Sequence, residues 1–147
     1  MSNVNWGRFI LGALIVAAIC FVSDGFLHQR VVMDQWEAVE AAIGATMPEH
    51  AGFAMIWFIV FEAGRGFLTM YVYVLLRPRL GPGVKTATWA GVVAWVAYSL
   101  TGPAQFIPIG FYSESLWISV GLYQLVFSII AAIIGAAPYS EKEAGHA

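Results

Sequence analysis

Residues Ala51–Leu76, AGFAMIWFIVFEAGRGFLTMYVYVLL, are long and apolar enough to cross a lipid bilayer, yet they include Glu62 and Arg65 near the middle. About 20 mainly apolar residues in a helix span the hydrocarbon core of a bilayer. A charged side chain at that depth costs about 3 kcal/mol on insertion scales. The remainder of the chain is therefore expected to supply a partner or a ligand for these two charges.

The composition of the whole chain indicates an integral membrane protein. Of its 147 residues, 60% are hydrophobic and 11% are charged, whereas soluble domains carry about 25% charged residues. The net charge of −2 gives no argument for nucleic-acid binding, and a single cysteine cannot form a disulfide framework. Apolar segments with short connections predict an all-α fold, an up-and-down bundle of four transmembrane helices in one domain (1–147), at about 6–27, 51–76, 84–100 and 115–137.

The connection between the first two predicted membrane helices, residues 28–50, contains the segment DQWEAVEAAIG. Asp34 with Glu37 three residues later matches a capping box, and Gly44 suits the end of a helix. The segment therefore predicts a short amphipathic helix at about 34–43 that lies on the outer membrane surface. The polar face of this helix is acidic, which argues against binding to anionic lipid.

Basic residues set the predicted orientation in the membrane. Arg77, Arg79 and Lys85 lie in or beside the turn RPRLGPG, which is expected to end the second membrane helix at about residue 76. Cytoplasmic loops are enriched in Lys and Arg, so this turn is predicted to be cytoplasmic. With four crossings the N-terminus and the C-terminus are then both cytoplasmic, and the 28–50 connection is on the outer side.

The second membrane helix carries a polar stripe, because Glu62, Arg65, Thr69 and Tyr73 recur at helical spacing on one face. Glu62 and Arg65, at i and i+3, can pair directly. Two interpretations carry equal weight. The stripe lines an ion or proton path or a polar ligand site, or the pair is structural and holds this helix against its neighbours.

Asp24 is the next candidate for this intramembrane cluster. At 1.5 Å per residue, Asp24 lies about 27 Å along its helix from Trp6, and Glu62 lies about 22 Å from Arg77. The two carboxylates are thus at comparable depth and could share Arg65, which is a plausible site for perturbed titration. The alternative, which the sequence favours, is that Asp24 faces interfacial water near the end of its helix.

His28 and His50 are predicted at the outer surface, where they and Asp24 offer ligand types suited to zinc or another transition metal. The spacings HxxxH, HxxEH and CxxC are absent from the sequence. His28 could also ligate a haem or a chlorophyll-type pigment. An interfacial histidine that is hydrogen-bonded to a neighbour is the simpler interpretation, and the sequence favours it. No cofactor is evident from the residues alone.

The last predicted helix has a stripe of small and polar residues that suits close helix packing in lipid, which includes Gly121, Gln124, Ser128 and Gly135. Most aromatic residues fall near the predicted membrane interfaces, where aromatic belts are expected. Trp95 fits this belt least well.

Three segments resemble an uncharacterised family of small bacterial four-helix integral membrane proteins: NWGRFILGALI (5–15), DQWEAVEAAIG (34–44) and LLRPRLGPGVKTATWAG (75–91). The resemblance covers most of the chain, and the linker RPRLGPGVKTA is its most specific part. It implies a multi-pass protein of the bacterial inner (cytoplasmic) membrane. It implies no activity and no catalytic residues.

Three functions remain open, in this order of preference. The first is a non-enzymatic subunit or accessory protein of a larger membrane complex, such as a respiratory or photosynthetic one, in contact with other subunits or with copies of itself. The second is a small oligomeric translocator of an ion, a proton or a solute that uses Asp24, Glu62 and Arg65. The third is a membrane-embedded enzyme or a metal- or cofactor-binding protein that uses Asp24, His28 and His50.

Overall fold

The computed structural model describes residues 4–44, 51–110 and 113–141, and every regular element among them is helical. The predicted all-α class is confirmed. In chain order the helices are α1 (Trp6–Phe26), α2 (Met33–Ile43), α3 (Ala51–Leu80), α4 (Val84–Trp95), α5 (Thr101–Ala104) and α6 (Glu114–Ala136). Two π-helical turns, Leu27–Val31 after α1 and Val96–Leu100 after α4, interrupt the α-helical geometry.

Side-chain caps fix the beginnings of two long helices. The Asn5 side chain accepts a hydrogen bond from the backbone N–H of Arg8 at 3.3 Å and caps α1. The Ser113 hydroxyl accepts one from the N–H of Leu116 at 3.1 Å and caps α6. Each cap satisfies one of the backbone donors that a helix start leaves without an intrahelical partner.

The predicted capping box of the surface helix is wrong. α2 begins at Met33, Val32 occupies its N-cap position without a side-chain cap, and Asp34 lies inside the first turn. The reason is that the preceding π-helical turn leads directly into α2, with the Val32 N–H donating to the Leu27 carbonyl at 3.0 Å. Asp34 still lies where a carboxylate is stabilised by the helix dipole. Gly44 follows Ile43 in the left-handed conformation, with φ of 65°, as expected at a helix end.

α3 extends beyond its predicted end at about residue 76, and Pro78 lies inside it. Proline removes one intrahelical hydrogen bond, here the one to the carbonyl of Val74. Because Pro78 is in the last turn, the loss stays local. The helix ends before Gly81, which has a φ of 80°. The N–H of Gly81 still donates to the Arg77 carbonyl at 2.9 Å.

Four helices pack pairwise into a closed ring: α1 contacts α3 and α6, and α4 contacts the same two helices from the opposite side. Neighbouring helices run antiparallel. At one end Arg8 Nη1, in the first turn of α1, donates to the carbonyl of Pro138, just after α6, at 3.2 Å. The buried side chains line the axis of this ring. α2 packs at the other end, where Val32 and Val39 are buried with Leu116 and Val120 of α6.

Glycines bring the helix backbones close together. A Cβ atom added to Gly66 of α3 would collide with the backbone carbonyl of Ala13 in α1. One added to Gly135 of α6 would meet the Gly12 carbonyl of α1 at 2.8 Å, and one added to Gly91 of α4 would meet the Ser128 carbonyl of α6 at 2.7 Å. Small residues at helix contacts are typical of membrane proteins, because close packing replaces the hydrophobic driving force there.

Three helical segments among the described residues are long and apolar enough to cross a membrane: Trp6–Val31, Met55–Leu80 and Glu114–Ala136. Large apolar side chains such as Leu14, Val22 and Leu122 point away from the ring and are exposed. An apolar outer surface of this kind is unfavourable in water and favourable in lipid. The structure therefore supports an association with membranes.

Candidate functional site

Three helices bring charged and polar side chains together on the axis of the ring. Arg65 Nη1, from α3, donates to Asp24 Oδ2 of α1 at 2.9 Å, and the same nitrogen lies 3.5 Å from Glu62 Oε2. Arg65 Nη2 donates to the Ser128 hydroxyl of α6, and Gln124 Nε2 donates to Asp24 Oδ2 at 2.6 Å. All five side chains are buried, and we refer to Asp24, Glu62, Arg65, Gln124 and Ser128 as the charged cluster.

The interpretation that Asp24 faces interfacial water is wrong. Asp24 is buried, and its carboxylate is nearer to Arg65 than that of Glu62 is. The physical reason is that the chain continues as a π-helical turn after Phe26, so Asp24 is not at the end of the helical segment. The hydroxyl of Ser23 also contacts Asp24, at 3.4 Å from Oδ1.

Gln124 and Ser128 were expected as packing residues on the last helix, and the structure places them inside the charged cluster. Ser128 also packs through its backbone carbonyl against Gly91. A signal for this role was present in the sequence, since the two residues are four apart on a mainly apolar helix and share one face. That signal does not say which helix the face meets.

The cluster contains two carboxylates and one guanidinium. Glu62 Oε2 is buried, and in the part of the chain that the structure describes it has no hydrogen-bond donor, its contact with Arg65 being an ion pair at 3.5 Å. Burying a charge is costly unless it is paired and hydrogen-bonded. The second carboxylate therefore leaves the site electrostatically suited to a proton or another cation.

Three members of the charged cluster, Asp24, Glu62 and Gln124, form one wall of a cleft of about 490 Å³. The lining residues come from α1 and the π-helical turn after it, from α3, from the π-helical turn after α4, from α5 and from α6. They are Asp24, His28, Trp57, Phe58, Val60, Phe61, Glu62, Tyr98, Ser99, Pro103, Val120 and Gln124. Both π-helical turns supply lining residues, His28 from the first and Tyr98 and Ser99 from the second. Single π-helical turns are frequent at functional sites. The cleft is thus the strongest candidate site in the described chain.

The His28 side chain is hydrogen-bonded to α2. Trp36 Nε1, from α2, donates to His28 Nδ1 at 2.8 Å, and the two rings lie 5.7 Å apart. Because Nδ1 accepts this bond, we assign the imidazole proton to Nε2 and treat the ring as uncharged. Nε2 is then the nitrogen that remains for contacts in the cleft.

The described residues contain no group of three or more His, Cys, Asp or Glu side chains that could hold a metal ion. His50, proposed above with His28 and Asp24 as a metal ligand, lies outside the described residues.

The rest of the polar stripe of α3 leads away from the cleft. The Thr69 hydroxyl donates to the Arg65 carbonyl at 2.8 Å. Tyr73 Oη accepts from the Gly83 N–H at 3.3 Å and lines a second cavity, of about 310 Å³, near the opposite end of the ring. The stripe thus begins at one cavity with Glu62 and ends at the other with Tyr73.

The other two residues of the small and polar stripe predicted on the last helix, Gly121 and Gly135, lie in different surroundings. Gly135 lies at the close contact with α1, where a Cβ would collide with Val16. At Gly121 a Cβ would meet open space, and the carbonyl of this residue accepts a hydrogen bond from Trp95 Nε1 at 2.8 Å. This bond joins α4 to α6 and gives a partner to Trp95, the residue that fits the expected aromatic belt least well.

A comparison with known proteins finds one distant similarity. The chain is 26% identical over 145 aligned residues to a UPF0314 protein of Brucella anthropi, and the alignment covers 91% of this chain and 68% of that protein. No protein-family model matches the chain, and no solved structure matches it. The similarity extends along nearly the whole chain, and the name of the relative states no activity.

Proposed function

We propose that the protein is a four-pass protein of the bacterial inner membrane that binds a small cation or a proton at the charged cluster and moves it across the bilayer. The observation that supports this most directly is Glu62, a second acidic side chain that lines the cleft and whose buried Oε2 has no hydrogen-bond partner among the described residues. A site built in this way binds a positive charge more readily than it binds an anion or an uncharged solute.

The proposed membrane arrangement has α1, α3, α6 and the helical segment 84–104 as the four crossings. Segment 84–104 is helical throughout, although a π-helical turn divides it, and its length is close to the roughly 20 residues that a span requires. Arg8, Arg77, Arg79 and Lys85 lie at the end of the ring opposite to the cleft. The positive-inside rule then supports cytoplasmic termini and a cleft that opens to the outer side.

The proposed route follows the polar stripe of α3. Glu62 and Tyr73 are eleven positions apart in the sequence, about 16 Å along a helix, and each lines one of the two cavities. Arg65 and Thr69, between them, are buried. Movement of a cation past this closed section requires the helices to shift, as in transporters that expose one site to the two sides in turn.

Flux measured in vesicles tests this proposal. Purified protein in liposomes should dissipate an imposed proton or monovalent-cation gradient faster than empty liposomes do. Glu62→Gln should abolish the flux, and Glu62→Asp should keep part of it. Glu37→Gln is the matched control, since it removes an exposed carboxylate from α2. Wild-type flux equal to that of empty liposomes would contradict the proposal.

A second candidate function, a subunit of a larger membrane complex, is supported by a different observation. Seven consecutive large apolar residues at the start of α3, Met55–Phe61, are all exposed. They cover every side of nearly two helical turns, so the described helices leave much of that segment uncovered. A helix of a partner subunit could pack there in the membrane. Extraction from native membranes in mild detergent tests it, and a protein that migrates alone would argue against this function.

A further inference from the structure

The aromatic part of the cleft indicates the chemical class of the ligand. Four aromatic side chains line it, Trp57, Phe58 and Phe61 of α3 and Tyr98 of the second π-helical turn. Phe61 and Tyr98 form an edge-to-face pair with ring centroids 4.8 Å apart. Aromatic faces attract cations, and they also provide an apolar surface for a hydrocarbon group.

The polar part of the same cleft accepts positive charge and hydrogen-bond donors. Asp24 and Glu62 line it with their carboxyl groups. Arg65 does not line it, because the guanidinium is buried behind the carboxylates and is hydrogen-bonded to Asp24 and Ser128. His28, with Nδ1 bonded to Trp36, adds no positive charge. Among the described lining residues, therefore, two acids face the cleft and no side chain that we assign as charged opposes them.

The surroundings of Glu62 restrict the chemical class of the ligand further. Glu62 is 5% exposed, and its Oε2 lacks a hydrogen bond in the described part of the chain. A quaternary ammonium could use the aromatic walls, but it has no N–H to give to a carboxyl group. A bare metal ion would need several ligating groups, and no such set of three exists among the described residues. An ammonium ion with N–H groups and an apolar body satisfies both requirements, and a primary ammonium offers the most donors.

We infer that the cleft binds an organic primary ammonium ion, with the nitrogen beside the carboxyl group of Glu62 and an apolar body against Phe58, Phe61 and Tyr98. This rests on the proposed function, because it names the cation that the charged cluster would take. The cleft volume of about 490 Å³ falls in the range of small-molecule sites, roughly 300–1,000 Å³. A soluble amine and the ethanolamine headgroup of a lipid both present the required chemistry.

Calorimetric titration of the full-length protein in phosphatidylcholine nanodiscs tests this inference. The probes are 2-phenylethylammonium and its uncharged analogue 2-phenylethanol. The ammonium should bind at least tenfold more tightly than the alcohol to the wild-type protein, a comparison that requires no variant. Glu62→Gln should weaken binding of the ammonium at least tenfold. Phe58→Leu should weaken it about two- to fivefold, as expected for the loss of one cation–aromatic contact, while Phe26→Leu, at an exposed position outside the cleft, should leave it unchanged.

The outcomes separate this inference from the proposed function. Equal binding of the alcohol and the ammonium, or binding that Glu62→Gln leaves intact, would overturn the ammonium assignment. Glu62-dependent flux of protons or inorganic cations without ammonium binding would also overturn the ammonium assignment, but it would agree with the proposed translocation. Selective ammonium binding without any flux would support the ligand and contradict translocation. Weaker binding of the probe in phosphatidylethanolamine nanodiscs would identify a lipid headgroup as a competing source of the ammonium, and unchanged binding would favour a soluble amine.

Discussion

Arg65 of α3 bonds to Asp24 of α1, 41 positions earlier in the chain, with 2.9 Å between Nη1 and Oδ2, and it lies farther from Glu62 on its own helix. The ion pair that joins two helices is thus closer than the one within a helix. Both charges are buried, so each depends on the other to offset the loss of water. This contact connects the stability of the helix ring to the candidate site.

We predict that Asp24→Asn destabilises the protein by about 1–3 kcal/mol, because the buried Arg65 guanidinium loses its nearer carboxylate and keeps the more distant one of Glu62. Thermal unfolding in mild detergent measures the effect. Asp34→Asn, an exposed position on α2, is the control and should be close to neutral. The triple variant Asp24→Asn, Glu62→Gln and Arg65→Met should recover much of the loss, since no unpaired charge of the cluster remains. A single variant as stable as the control would show that the pair does not support the fold.

Gly66→Ala should destabilise the contact between α1 and α3. The added Cβ would collide with the Ala13 carbonyl, a backbone atom that moves only if the helices separate. Overpacking of this kind costs about 1–3 kcal/mol. Gly25→Ala in α1 is the matched control, because its Cβ would meet nothing within 4 Å, and the higher helix propensity of alanine should raise stability by up to about 1 kcal/mol. Equal melting temperatures for the two variants would argue against close packing at Gly66.

Gly64→Ala should alter the cleft rather than the fold. The added Cβ would lie 2.7 Å from the Tyr98 hydroxyl but at an ordinary 3.7 Å from the ring carbon that bears it. We expect Tyr98 to shift within the cleft, with a reduced affinity for 2-phenylethylammonium and an almost unchanged melting temperature. Adding Tyr98→Phe removes the clashing oxygen and should restore the affinity. A double variant no better than Gly64→Ala would exclude this contact as the cause.

Tyr139 should make the stability of the protein depend on alkaline pH. The side chain is buried beside Tyr73 and Arg77, and burial raises the pKa of Tyr139 above its ordinary value near 10. The folded state therefore keeps this proton longer than the unfolded state does. The contribution is fully present below pH 10 and is lost as the pH rises through the folded pKa.

Unfolding of wild type and Tyr139→Phe, compared between pH 8 and pH 11, measures this dependence. The phenylalanine variant should lose less stability above pH 10. Near pH 8 it should be as stable as wild type or more so, because the Tyr139 hydroxyl is buried without a hydrogen-bond partner among the described residues. Identical pH profiles would show that the tyrosine ionises equally easily in the folded and the unfolded chain.

The proposed orientation predicts a pattern of chemical labelling. A membrane-impermeant maleimide should label Glu37→Cys in intact cells, and it should label Arg79→Cys only when the cells have been permeabilised. Both positions are exposed, and they lie at opposite ends of the helix ring. The native Cys20 is fully buried, so the wild-type protein serves as the unlabelled control. Labelling of Arg79→Cys in intact cells would reverse the proposed orientation.

Local patterns in the sequence predicted the helical elements well. Gly44 acts at the end of α2 as expected, because a cap depends on the residue itself and on its nearest neighbours along the chain. The Glu62–Arg65 contact follows from the i, i+3 spacing in the same way. Pro78 and the capping box at Asp34 are the exceptions, since Pro78 is tolerated in the last turn of α3 and α2 begins at Met33 without a side-chain cap.

The partners of the charges could not be predicted in this way. Asp24, Gln124 and Ser128 meet Arg65 because α1, α3 and α6 have particular rotations and axial offsets in the ring, and glycines such as Gly66 and Gly135 permit these close contacts. The sequence alone therefore determined that the chain is helical, apolar and charged at mid-helix, since these are properties of neighbouring residues. The tertiary structure determined which charges meet and that they border a cleft, because those facts depend on distances between residues far apart in the chain.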